Sequence, residues 1–414
     1  MKKLITLFIL LVMGQNAFSQ ITTETFSSGR LNRKQKIAIY KPEKYSDKDT
    51  YPLLVVLGAE TLMEPVVSAV RYYEGYGDMP KCIVVGVIDA NPEDVTIIDE
   101  VAHPMNESAR FFEFVSAELV PYIQGKFPIA SLKGIIATDE AGFLANYYLL
   151  QQKPTFNFFV SLNPIGTPRI GEEIAQALAA GSNHRIVYYM ATTDVENKKN
   201  YERVVQLEKS IRTMPVHATV NYYFEEFKNL SINAVNLNGI ARALDYCFDI
   251  YKPIGGKEFK TKIEPLETGI FDYLEKKYQT IYDYLGVKKK PTLNDVMATY
   301  TAITRSQDWE SLQKLAKYVG DNGYFKTAMP DFFLAEYYEK TGDNKKALKT
   351  YQKSYTQPSI DFITGDLISE RITRMKGTRT PKKSKKEVVP EVQEEVQPTE
   401  EVKPDEVKEE VKQE

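Results

Sequence analysis

The sequence predicts an α/β fold with a mostly parallel sheet, followed by a small all-α segment of helical repeats and a disordered tail. Strand-like and helix-like patterns alternate from about residue 36 to residue 251, several of the strand-like runs are continuously apolar, and no convincing strand pattern follows residue 253. Alternation of this kind is typical of parallel sheets with helices on their faces. Continuous apolar runs are expected where both faces of a strand are covered.

The elements follow in chain order. The strand-like runs are Lys36–Tyr40, Leu53–Leu57, Cys82–Ile88, Gly134–Ala137, Phe158–Leu162, Arg185–Ala191 and Ala218–Phe224. The helical patterns between them are Ala109–Gln124, Gly142–Gln152, Asn200–Arg212 and Ser231–Tyr251. After a break marked by Pro253, Gly255 and Gly256, amphipathic helices are predicted at Thr268–Leu285, Leu293–Thr304, Asp308–Val319, Pro330–Thr341 and Asn344–Tyr355.

The first residues have the features of an export signal. Lys2 and Lys3 precede a short apolar run, Leu4–Met13, and Ala17-Phe18-Ser19 has the small-x-small form of a cleavage site. The apolar run is too short to span a bilayer. We therefore predict that residues 1–19 are a signal peptide and that the protein is exported to the periplasm or the cell surface, with no transmembrane segment after the signal is removed.

The rest of the chain is predicted to divide at two composition changes. Residues 20–255 form the α/β domain, and residues 256–376 form the helical segment. Within that segment, the small and large residues at 334–358 approach the template of a tetratricopeptide repeat. Residues 377–414 are rich in Lys, Glu, Val and Pro, and they hold too little apolar surface to offset the entropy of ordering.

Charge and composition exclude some function classes. The net charge of −3 leaves no basic footprint for nucleic acid. His103, His184 and His217 are scattered, so no zinc or haem spacing exists, and neither a metal nor a cofactor is expected. Cys82 and Cys247 lie on apolar patterns, which favours buried small hydrophobes over a disulfide.

One stretch has the context of catalytic chemistry. Residues 132–143 read L-K-G-I-I-A-T-D-E-A-G-F, an apolar run that leads through a short turn into a helical pattern. This is the strand–turn–helix context of the G-x-S-x-G nucleophile elbow. Ala137 stands at the first glycine, Asp139 at the serine and Ala141 at the second glycine.

Several segments resemble one family in order and spacing. They are Y-P-L-L-V-V-L at 51–57, I-V-V-G-V at 83–87, D-V-T at 94–96 and the helical run F-F-E-F-V to E-L-V-P-Y-I at 111–123. They resemble the esterase family of α/β hydrolases that includes esterase D and the enterobactin esterases, in the exported form from Bacteroidetes with C-terminal helical repeats. The resemblance covers about 31–251 and 271–358. It implies an α/β-hydrolase fold and ester hydrolysis by a serine, a histidine and an acid.

The chain departs from the family where the chemistry is expected. The family's G-H-S-L-G-G reads A-T-D-E-A-G at 137–142, and its oxyanion turn L-D-G-D reads L-G-A-E at 57–60. The position of the catalytic histidine falls nearest to Asn229. The acid corresponds to Asp194 or Glu196.

These departures leave two functional hypotheses open. Joint loss of serine and histidine predicts a pseudoenzyme that binds another envelope protein through its hydrolase-like surface, helical repeats or tail. The alternative is a divergent hydrolase that uses Asp139 as nucleophile or metal ligand. A simpler role for Asp139 and Glu140 is an acidic turn that caps the next helix. The pocket candidates are Ala59, Glu60, His103, Asp139, Glu140 and Asp194.

Overall fold

A computed structural model describes residues 20–96, 103–195 and 197–377. The predicted signal peptide, residues 378–414 of the predicted tail and Glu196 lie outside the described residues, and what was expected of them stays a prediction.

Within the described residues, eight strands form one sheet. They are β1 (Ile21–Ser28), β2 (Arg33–Tyr40), β3 (Tyr51–Leu57), β4 (Ile83–Ile88), β5 (Ile129–Thr138), β6 (Phe158–Leu162), β7 (Ile186–Thr193) and β8 (Val220–Phe227). Their spatial order is β1-β2-β4-β3-β5-β6-β7-β8. β2 is antiparallel to both of its neighbours, and the pairs from β4 to β8 are parallel. The predicted mostly parallel α/β sheet is confirmed.

The interior strands are apolar because helices cover both faces of the sheet. Every residue of β3, β6 and β7 is buried, as their continuous apolar runs predicted. The sequence did not predict β1. Its polar residues alternate on an edge strand that pairs only with β2, so it lacks the apolar run that marks the inner strands.

Helices fill the connections between these strands. They are α1 (Ala59–Tyr76), α2 (Glu93–Thr96), α3 (Asn106–Glu113), α4 (Val120–Lys126), α5 (Asp139–Ala145), α6 (Gly171–Ala180), α7 (Lys198–Ile211) and α8 (Ile232–Cys247). A π-helical stretch, Phe114–Leu119, joins α3 to α4, so the predicted Ala109–Gln124 helix is real but irregular. The sequence missed α1, whose helical pattern is interrupted by Pro65.

The described chain divides into two compact units. The first holds the residues up to Pro253 together with Leu274–Lys290, and the second holds Ile254–Tyr273 and the residues from Pro291 onward. The sequence predicts one boundary, after residue 255. The structure instead groups residues 274–290 with the first unit, although they follow that boundary.

Helices account for the regular structure after Pro253 within the described residues. They are α9 (Gly256–Glu258), α10 (Ile270–Leu285), α11 (Leu293–Ser306), α12 (Trp309–Val319), α13 (Met329–Lys340), α14 (Asn344–Tyr355) and α15 (Gly365–Met375). Ala335 and Ala347 are fully buried, which suits close packing of α13 on α14. The Asp343 side chain accepts a hydrogen bond from the Lys346 N–H at 3.1 Å and so starts α14. The tetratricopeptide identity of this pair stays a prediction.

The two cysteines are in the state that the sequence predicts. Cys82 and Cys247 are both buried and free, which confirms their expected role as small hydrophobes. In the part of the chain that the structure describes, no helix combines the length and apolar character needed to cross a bilayer.

The contact between β4 and α1 gives a stability prediction. A Cβ on Gly86 would lie 2.6 Å from the Cβ of Ala59 and 3.0 Å from the sulfur of Met63. Gly86→Ala should therefore lower the free energy of unfolding by about 1–3 kcal/mol, measured by urea denaturation followed by circular dichroism. The matched control is Gly75→Ala in α1, where a Cβ meets nothing within 4 Å. This control should raise the free energy of unfolding by about 0.5–1 kcal/mol. Equal changes in the free energy of unfolding for the two variants would contradict the close contact between β4 and α1.

Candidate functional site

The connection between β5 and α5 has the geometry of a nucleophile elbow. β5 ends at Thr138 and α5 begins at Asp139, so no loop residue separates strand from helix. The φ angle of Asp139 is 56°, in the left-handed region that costs most residues other than glycine about 1–2 kcal/mol. A sharp, strained strand-to-helix turn exposes the nucleophile of α/β hydrolases at the top of their sheet. This turn is the one at which the sequence predicts Asp139 in place of the nucleophile.

Packing holds this turn in place. The Ile165 N–H donates to the carbonyl oxygen of Asp139 at 3.0 Å. A Cβ on Gly142 would lie 3.2 Å from the carbonyl oxygens of both Ala137 and Leu162. Such contacts are tighter than ordinary ones, so glycine at this position lets the start of α5 approach β5 and β6 closely.

Asp139 and Glu140 lie in the first turn of α5, where the helix dipole favours negative charge, but the expected side-chain cap by Asp139 is not formed. The residue that precedes the helix is Thr138, which has extended backbone angles, and no side-chain capping hydrogen bond forms at this end of α5. A capping residue must stand before the first helical turn to reach the free N–H groups. Asp139 is itself the first residue of the helix.

The environment of Asp139 changes its acidity. The pKa of its carboxyl is raised from 3.8 to about 6: burial is the largest cause, the negative charge of Glu140 adds to it, and the hydrogen bond from the Thr138 hydroxyl opposes both effects. A group that gains or loses a proton during catalysis is most effective when its pKa lies near the operating pH. Asp139 is thus ionised at neutral pH but titrates close to it.

The positions predicted for the acid and the histidine lie on adjacent strands. Asp194 follows β7 and Asn229 follows β8, and these strands are parallel neighbours. The Asn229 N–H donates to the Asp194 Oδ1 at 3.1 Å, and the Lys228 Nζ lies 3.8 Å from the Asp194 Oδ2. Asp194 therefore binds a backbone amide of the β8 turn, where a catalytic acid would orient an imidazole.

The turn after β3 differs from an open oxyanion loop. Gly58, with a φ of 73°, is the only residue between β3 and α1, and Ala59 is buried at the start of the helix. The carboxylate of Glu60 accepts a hydrogen bond from the Asp89 N–H at the end of β4. Glu60 is thus engaged with the neighbouring turn.

The three histidines occupy different places. The His103 Nε2 lies 4.0 Å from the Glu173 Oε1, and its ring packs near the ring of Tyr147. His184 and His217 precede β7 and β8. They lie at the amino edge of the parallel strands, whereas Asp139 follows β5 at the carboxyl edge.

A buried polar network behind the elbow was not predicted. The Oδ1 of Asn236 in α8 accepts hydrogen bonds from the Thr138 hydroxyl at 3.1 Å and from the Asn163 Nδ2 at 3.3 Å. The Asn200 Nδ2 of α7 donates to the Asn163 carbonyl oxygen at 3.4 Å. These four residues join the ends of β5 and β6 to two helices. The available signal was an asparagine, Asn163, directly after the apolar run of β6.

The metal-ligand role proposed for Asp139 has little support. Among the described residues, no group of three or more His, Cys, Asp or Glu side chains is arranged to hold a metal ion. Asp139 and Glu140 therefore have no third ligand among the described residues, which favours the role of nucleophile over that of metal ligand for Asp139.

Comparisons with known proteins relate part of this chain to one family. Residues 28–229 match the family described as "Putative esterase". The matched segment is slightly less than half of the chain. A crystal structure of an uncharacterised protein from Capnocytophaga ochracea DSM 7271 is 71% identical, with a TM-score of 0.83 over 87% of this chain and 100% of that chain. At this identity and coverage the two chains belong to one family.

A more distant likeness concerns the fold alone. An IroE-like serine hydrolase from Shewanella oneidensis is 16% identical, with a TM-score of 0.52 over 72% of this chain and 98% of that chain. The expected α/β-hydrolase fold is confirmed. None of the curated proteins matches the chain.

The raised pKa of Asp139 predicts a pH-dependent stability. A carboxyl whose pKa is higher in the folded state binds its proton more tightly there, so its contribution to stability falls as pH rises from about 4 to about 6. Asp139→Asn cannot ionise. Its free energy of unfolding, relative to that of the wild type, should increase by about 1–2 kcal/mol between about pH 4 and pH 8, after allowance for solvent screening.

The control for this prediction is Glu202→Gln on α7, where the carboxylate is 62% exposed. Urea denaturation at both pH values should show no such gain for this variant. A gain for Asp139→Asn that did not depend on pH would contradict the assigned environment of Asp139.

Proposed function

We propose that this protein is a divergent α/β hydrolase in which the carboxylate of Asp139 replaces the serine nucleophile. The observation that carries the proposal is the left-handed backbone of Asp139 at the end of β5. Strain at a residue other than glycine is stored mainly at functional sites. Nine described residues other than glycine have a positive φ, and Asp139 combines that backbone with a half-buried carboxyl whose pKa is about 6.

The chemistry follows from a carboxylate in this position. One Oδ of ionised Asp139 attacks the carbonyl carbon of an ester, and the alkoxide or phenoxide leaves and takes a proton from water. The resulting mixed anhydride is then hydrolysed by water, which releases the carboxylic acid and regenerates Asp139. An anhydride reacts with water more readily than a serine ester does, so this second step depends less on an imidazole base.

The same reasoning restricts the substrates. When the tetrahedral intermediate breaks down, the group that leaves more easily is expelled. A carboxylate leaves more easily than an alkoxide, so alkyl esters return to the starting material, whereas phenoxides can compete. We therefore expect activity on aryl esters and little on alkyl esters.

The activity of Asp139 variants tests this proposal. Asp139→Ala and Asp139→Asn should lower kcat/KM for p-nitrophenyl acetate by a factor of about 100 or more. In the wild type kcat/KM should rise with pH through about 6, because only the ionised carboxylate attacks. Glu140→Gln serves as the matched variant. It should keep the activity and move the pH midpoint downward, since the charge of Glu140 raises the pKa of Asp139.

An isotope experiment separates this route from base catalysis. A single turnover in ¹⁸O-labelled water should place the label in the carboxyl group of Asp139 if attack of water on the anhydride occurs there. Equal activity of Asp139→Ala and wild type would overturn the proposal.

A second candidate is an exported binding component without catalysis. The observation that favours it is the contact of Asp194 with the Asn229 backbone, in place of an imidazole. Its partner would be another envelope protein that binds the hydrolase-like surface, the helical segment or the tail. The supporting result is absence of esterase activity together with saturable binding to one purified envelope protein that Asp139→Asn leaves unchanged. A mature N-terminus near residue 20 would support export.

A further inference from the structure

A cavity lies at the amino edge of the sheet, the edge opposite to Asp139. It has a volume of about 590 Å³, within the range of small-molecule sites. Its walls come from the first half of β5 and from the segments that lead into β6 and β7. The polar residues of its lining include Ser131, Lys133, Lys153, Asn157, Ser182 and His184.

The charged groups of this lining are all basic. Lys133 and Lys153 are lysines, His184 is an imidazole, and no Asp or Glu lies among the lining residues. Hydroxyl and amide groups make up most of the other polar surface. A cavity of this composition favours a ligand with negative charge.

Lys133 is the unusual member of the lining. It lies in β5, an interior strand between β3 and β6 where apolar residues are the rule. Within the described residues its ammonium has neither an ion pair nor a hydrogen bond, and burial lowers the pKa of its amine. By contrast, the partly buried Lys126 and Lys252 each face a carboxylate, and the pKa of each amine is raised.

Two hydrogen bonds in the cavity lining leave Asn157 and Ser182 each with a group that can donate to a ligand. The Asn157 Oδ1 accepts from the Lys133 N–H at 2.8 Å, so its Nδ2 group remains a donor. The Ser182 Oγ accepts from the His184 N–H at 3.2 Å, so its hydroxyl proton is also left to donate. Neutral donors near an ammonium are the groups that commonly bind carboxylate and phosphate oxygens.

We propose that this cavity binds a small organic anion whose carboxylate or phosphate group pairs with Lys133. Lys153 and His184, which are exposed, lie at the mouth and bind further oxygens of the same ligand. A partly buried ammonium without a partner is costly, and the bound anion removes this cost. The site is separate from the elbow and does not depend on the reaction proposed for Asp139.

Binding to the full chain tests the proposal. Citrate and inorganic phosphate are the probes, and sodium chloride of matched ionic strength is the reference for both calorimetry and thermal unfolding. We expect saturable binding of at least one probe at one site per chain and a rise in the unfolding temperature with its concentration. Tighter binding of citrate assigns a carboxylate ligand, and tighter binding of phosphate assigns a phosphorylated one.

Three substitutions locate the site. Lys133→Met should weaken binding at least about tenfold, Lys153→Gln should weaken it severalfold, and the exposed Lys199→Gln on α7 should not change it. If Lys133→Met fails to fold, protection of Lys133 from reductive methylation by the bound probe in the wild type replaces it. Binding no tighter than that of chloride, or loss of affinity equal in all three variants, overturns the proposal.

Discussion

The backbone of Asp139 is the constraint on which the rest of this site depends. β5 passes directly into α5, and a left-handed residue at the junction turns the chain sharply enough for the helix to pack back on the sheet. The Ser161 hydroxyl donates to the Gly142 carbonyl at 2.8 Å and fastens the helix to β6. The strain is therefore maintained by packing around the turn, and the same packing half-buries the carboxyl and raises its pKa.

The two edges of the sheet have opposite electrostatic character. Asp139, Glu140 and Asp194 lie at the carboxyl edge. Lys133 and His184 lie at the amino edge, around a cavity without acidic groups. The carboxyl edge thus offers carboxylates, and the opposite cavity suits an anionic ligand.

The sequence predicted the fold more completely than the site. Continuous apolar runs such as Phe158–Leu162 identify buried strands because both faces of those strands are covered. The sequence did not predict edge strand β1, whose pattern is polar, or helix α1, whose pattern is interrupted by proline. Local motifs located Asp139 and Asn229, since their positions relative to the strands are encoded locally. The contacts of Asn236, and the lack of a partner for the Lys133 ammonium among the described residues, depend on residues distant in sequence, which no local pattern reveals.

The most direct test of this account compares two substitutions at one residue. At an ordinary helical position alanine is more stable than glycine by about 1 kcal/mol, whereas a left-handed position favours glycine by about 1–2 kcal/mol. We therefore predict that Asp139→Gly has a larger free energy of unfolding than Asp139→Ala in urea denaturation. A larger free energy of unfolding for Asp139→Ala would show that the strained elbow is absent and would contradict the account.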